Sequence, residues 1–123
     1  MNKQVKQNWI AALRSGKYKQ NDGTNLRNAE GFDALGVLCD LYYASGRGDG
    51  WIISPLLHCY SFDDQTNVLP LDVADWAGIP QTPLLDRFIV PIPVVTFPGL
   101  SVGSICDVGL SFNLIAKAIE NSL

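Results

Sequence analysis

The run from Trp9 to Gln20, WIAALRSGKYKQ, constrains this chain more than any other stretch. It joins the end of an amphipathic helix to a basic turn. Val5, Trp9, Ile10 and Leu13 recur at i, i+4, i+5 and i+8, which predicts one apolar stripe on a helix over residues 2–14. Lys3, Gln4, Lys6, Gln7 and Arg14 take the other face. Gly16 is placed to end the helix, where a left-handed residue is often required. Arg14 lies in the last turn, where a cation suits the exposed carbonyls.

That stripe needs partners, and the rest of the chain supplies them. Phe32, Leu35, Leu38, Cys39 and Tyr42 predict a second helix over residues 31–43. Gly36 sits inside it at a cost of roughly 1 kcal/mol relative to Ala, which predicts close packing against another backbone. Pro70 fits the first turn of a short helix over 70–77, with Val73, Trp76 and Ala77 on one face and Gly78 at its end. Two more helices are expected within residues 101–122. Ser101 caps the first, which turns Val102, Ile105 and Cys106 inward. Ser111 caps the second, with Phe112, Ile115, Ala116 and Ile119 as its stripe.

Residues 17–29 read as a turn-rich loop around Asn21-Asp22-Gly23. Gly46 to Gly50 breaks the second helix. Trp51 to Ile53 and His58 to Phe62 are short extended pieces, followed by a turn at Asp63 to Asn67. Residues 87–98 are the most strand-like run, but Pro91 and Pro93 remove two ladder donors, so it belongs at a sheet edge or is not a ladder strand. The expected fold class is α+β: one domain over residues 1–123, with four to five short helices around a small, proline-interrupted sheet.

Composition supports a packed core, since 47% of the 123 residues are apolar and 17% charged. Net charge is −3, which argues against general affinity for nucleic acid. Its distribution is uneven. Residues 1–27 hold six cations against Asp22 alone, a balance of +5. Residues 28–123 hold three cations against eleven acids, a balance of −8. Such asymmetry steers an anionic ligand or an acidic partner to one end. No apolar run approaches the ~20 residues of a membrane span. Three cysteines without regular spacing are no disulfide framework. With no signal-peptide pattern at the start, they predict a reducing cytosol.

The chemistry-bearing groupings are sparse. Leu110 to Ile119 resembles the first helix of a helix-turn-helix, but the chain ends at Leu123 before a recognition helix. His58-Cys59 lacks the paired spacings of a zinc site, and neighbours on a strand point to opposite faces. Asp63-Asp64 and Asp72 with Asp75 lack the ligand density of a calcium loop. Gly46-x-Gly48-x-Gly50 follows a helix instead of opening one, so it is no phosphate cradle. No catalytic set, metal site or cofactor is implied. The basic corner remains: Arg14, Lys17, Lys19 and Arg27 around Gly16 and the Tyr18 ring. A guanidinium fork with ammonium groups beside an aromatic face suits a phosphate-bearing small molecule, a nucleotide or a carboxylate-rich protein surface.

Four blocks carry a resemblance: Trp9 to Gln20, LGVLCDLY at Leu35 to Tyr42, LPLDVADWAGI at Leu69 to Ile79, and GLSFNLIAKAIE at Gly109 to Glu120. Together they resemble a family of small, uncharacterised proteins encoded mainly by bacteriophages and prophages. Relatives often carry a cysteine pair just before the Leu-Gly-Val. Here those positions are Asp33 and Ala34, which argues against a metal or redox role there. The resemblance implies a viral origin and names no activity.

The leading expectation is a non-enzymatic bacteriophage accessory protein in the host cytoplasm. It binds a host protein or an anionic small molecule through Arg14, Lys17, Tyr18, Lys19 and Arg27. One alternative is a virion or decoration protein docking through residues 88–97. Another is a small nucleotide-acting hydrolase using His58 with Asp63 or Asp64. A symmetric homo-oligomer with sites between subunits fits any ligand-trapping role.

Overall fold

A computed structural model of the chain describes residues 2–21, 25–54, 59–66, 69–79 and 111–122. Helix α1 spans Lys3–Arg14, and the Asn2 side chain caps it by accepting from the Val5 amide. Val5, Trp9 and Leu13 are buried along it, as their spacing requires. The helix ends as expected: Ser15 is the C-cap and Gly16 follows at φ 75°.

Strands β1 (Arg27–Asn28) and β2 (Gly31–Phe32) form a minimal hairpin. The Asn28 side chain holds its turn by accepting from the amides of Glu30 and Gly31. Helix α2 (Ala34–Ala44) follows. The buried Asp33 is its N-cap, with Oδ1 accepting from the Gly36 amide at 2.7 Å. Phe32 therefore belongs to a strand and not to the helix its spacing suggested. A cap at Asp33 sets the first helical residue at Ala34. Gly36 packs where the sequence predicts, against the Leu26 carbonyl, which a Cβ would meet at 1.8 Å.

Strands β3 (Trp51–Ser54) and β4 (Cys59–Phe62) complete an antiparallel sheet of order β2-β1-β4-β3. Helix α3 (Leu71–Ala77) has Pro70 as N-cap, one position earlier than expected, and Gly78 at φ 71° as its C-cap. Helix α4 (Phe112–Ser122) buries Phe112, Ile115, Ala116 and Ile119. Ser111 caps it through the Leu114 amide. The described part is thus α+β, four helices beside a four-stranded antiparallel sheet. The segment at 87–98, the helix expected at 101–108, His58 and Cys106 lie outside the described residues.

The core centres on α1. Trp9 is fully buried, and its indole N–H donates to the Ala34 carbonyl at 2.9 Å, which ties α1 to the start of α2. The Asn2 amide donates to the Ala77 carbonyl, joining α1 to the end of α3. The Gln20 side chain accepts from the Phe112 amide and so meets the first turn of α4.

Candidate functional site

Strand alternation and register decide which side chains share a sheet face. Trp51 pairs with Phe62, and Ile53 with Tyr60. These four residues therefore share one face. Asn28 pairs with Cys59 on the opposite face, so Arg27 returns to the first, opposite its partner Phe32. Short strands of a few residues thus collect one arginine and several aromatic rings.

The arginine lies among the rings. The Arg27 guanidinium carbon is 4.2 Å from the Tyr60 ring centroid, 4.8 Å from Phe32 and 5.6 Å from Trp51. Each is within the ~6 Å range of a cation–π contact. The rings brace one another edge to face, with Phe32–Trp51 centroids at 5.8 Å and Trp51–Phe62 at 5.0 Å. Tyr18 extends the array through Phe32, and Tyr42 and Trp76 extend it beyond Phe62.

Asp40 fixes this array from α2. It is the one charged residue in that otherwise apolar helix. Its carboxylate accepts from the Tyr18 hydroxyl at 2.6 Å and from the Trp51 indole N–H at 3.1 Å. Burial pushes the Tyr18 phenol well above its usual range, and the hydrogen bond and charge of Asp40 add to this. Tyr18 is therefore a permanent donor at neutral pH.

The residues of the basic corner fall into three environments. Arg14 pairs with Glu120 at 2.8 Å, and both side chains are largely exposed, at 41% and 52%. Lys17 and Lys19 are exposed. The Lys17 ammonium lies 5.9 Å from the Tyr18 ring, and the Lys19 carbonyl accepts from the Phe32 amide. Arg27 is half-buried, and among the described residues no carboxylate pairs with it. The structure brings Lys17, Tyr18 and Arg27 together through Phe32, and turns Arg14 toward α4.

Phe32, Asp40, Trp51 and Tyr60 were not candidates on sequence grounds. A lone carboxylate inside the apolar run ALGVLCDLYYA was the available signal for Asp40. The ring cage had none, because strand pairing assembles it from distant residues. Among the described residues no three His, Cys, Asp or Glu side chains are grouped to hold a metal ion. Cys39 is buried, and burial first, with Asp33, Asp63 and Asp40 adding to it, pushes its thiol well above its usual range. No helix among the described residues is long and apolar enough to cross a membrane.

No curated protein and no solved structure matches the chain. A family model for a domain of unknown function, DUF8296, matches residues 1–123, and the chain belongs to that family.

Proposed function

We propose that this chain is a non-enzymatic binding protein that takes an anionic group, a phosphate or a carboxylate, at Arg27. One observation carries the reading. Arg27 is half-buried among three aromatic rings, and no described carboxylate neutralises it. A ring face offers no hydrogen-bond acceptor as strong as a carboxylate, so contact with rings leaves guanidinium N–H donors for an anion. Packing among three rings restricts the Arg27 side chain, so less side-chain entropy is lost on binding.

Lys17, beside the Tyr18 ring, and the exposed Lys19 add attraction at longer range. The Tyr18 phenol and the Cys39 thiol are both pushed toward their protonated forms. That supports binding over covalent chemistry. The resemblance to proteins of bacteriophages and prophages supports an accessory role in the cytosol of an infected host. There the anion is borne by a host protein or a small molecule.

The test is a titration of isotope-labelled protein with inorganic phosphate, a nucleoside monophosphate and citrate, followed at the Trp51 indole resonance. At least one of the three is expected to shift it. Arg27→Ala should abolish the shift. Arg27→Lys should weaken binding about tenfold, because an ammonium keeps the charge and loses the planar fork. An indole resonance unmoved by all three probes, or equal binding by Arg27→Ala, rejects the reading.

A further inference from the structure

A second basic feature lies apart from Arg27. A groove of about 440 Å³ runs along α1 where it meets α4. Lys3, Lys6 and Arg14 supply its cations, Ile10 and Ala11 its apolar floor, and Glu120 closes it from α4. Positions 3, 6, 10 and 14 follow helical spacing, so they make one stripe on α1. From Lys3 to Arg14 that stripe rises about 16 Å. Cations stand at both ends and apolar carbon lies in the middle.

We propose that this groove docks an acidic amphipathic helix from a partner protein. The spacing argues for a helix. A single phosphate or carboxylate cannot reach both ends, whereas carboxylates one turn apart on a partner helix can. Apolar side chains at i, i+3 or i+4, and i+7 of that helix then cover Ile10 and Ala11. A nucleic acid strand matches the cations, but its phosphate backbone gains nothing from the apolar floor. Glu120 also works as an internal stand-in. It holds Arg14 at 2.8 Å on a solvent-exposed surface. Such exposed pairs are weak, so a partner carboxylate can displace it.

The test uses the full chain and a yeast-displayed library of random peptides about 15 residues long, enough to span the groove. The enriched peptides should be rich in Asp and Glu, with apolar residues at helical spacing. Their affinity should fall as salt rises. Lys3→Ala/Lys6→Ala/Arg14→Ala should weaken them about tenfold or more, with helical circular dichroism unchanged. Glu120→Gln should strengthen them roughly two- to threefold by releasing Arg14, a gain that misfolding cannot mimic.

Enriched peptides without an acidic bias overturn the proposal, as does full binding by the triple variant. So does a single-stranded oligonucleotide that outcompetes the selected peptides. Salt-sensitive self-association lost in the triple variant would assign the groove to a second copy instead. Arg27 does not line this groove, so the Trp51 readout of the anion site is independent of the result.

Discussion

Among the described glycines, Gly36 is the one at which an added carbon meets the hardest obstacle. A Cβ there would lie 1.8 Å from the Leu26 carbonyl oxygen, and that oxygen is fixed because it also accepts from the Asp33 amide. Backbone must move, since no flexible side chain is there to give way. Gly36→Ala is therefore expected to cost about 3 kcal/mol or more, although alanine is the better helix former. Gly16 makes the opposite case: its φ is 75°, but nothing lies within 4 Å of a Cβ. Gly16→Ala should cost only about 1 kcal/mol, from left-handed strain. Urea denaturation of both variants checks the contrast, and equal losses would show that Leu26 can yield.

A second residue-scale effect depends on pH. Burial raises the Asp63 carboxyl above the usual aspartate range, and Asp72, Asp49 and Asp64 add repulsion. The fold thus favours protonated Asp63. Its penalty is absent below the ordinary value near 4 and complete above the raised one. Stability should fall as pH rises through that window. Asp63→Asn should melt higher than the parent at pH 7, and the gap should close as pH approaches 4. A gap that persists at pH 4 would assign the gain to something other than charge.

At the scale of elements, the β3–β4 pair feeds a two-residue turn. Phe62 and Gln65 exchange amide–carbonyl hydrogen bonds across Asp63 and Asp64. Both aspartates have positive φ, 49° and 65°, as a type I′ turn requires. Glycine is preferred at the second of these positions. Asp64→Gly relieves roughly 1 kcal/mol of left-handed strain and gives back about half of it in chain entropy. It also removes one of the charges crowding Asp63. A net gain of roughly 0.5 kcal/mol is expected, with a shallower decline of melting temperature between pH 4 and 7. No gain at neutral pH would refute the strain argument.

Elements differed sharply in how far the sequence disclosed them. Helix α1 was legible because its apolar stripe agrees with the stop at Gly16, and α4 because its stripe agrees with the cap at Ser111. The turn at Asp63 was legible from its residue types. β1 and β2 were not, because two-residue strands carry no periodicity. Phe32 looked helical because it stands three residues before Leu35, whereas the Asp33 cap and the β1 pairing decide its strand. For the candidate site, charge patterning exposed the N-terminal cations but not their fates. Register assigns Arg27 to a cage of rings from β2, β3 and β4, and helix packing assigns Arg14 to Glu120. Both are long-range outcomes that no local pattern encodes.

Over the whole molecule, α1 joins the parts. Its flanks bond to the end of α3 through Asn2 and to the start of α4 through Gln20, and Trp9 bonds to the start of α2. One apolar cluster contains Val5, Trp9 and Leu13 with Leu35 and Leu38 of α2, Val73 of α3, and Ile115 and Ile119 of α4. A perturbation confined to α4 should therefore be felt at the sheet. Ile115 is fully buried. Ile115→Ala should cost about 2–5 kcal/mol, a large share of the ~5–15 kcal/mol that stabilises a domain of this size. The Trp51 indole resonance reports the sheet face, while far-ultraviolet circular dichroism reports mainly the helices. If the elements share one cooperative core, urea midpoints from both probes should coincide in the parent and shift together in the variant. Should circular dichroism shift while the Trp51 midpoint stays, α1 and α4 would be a separate unit and the sheet with its arginine cage would fold without them.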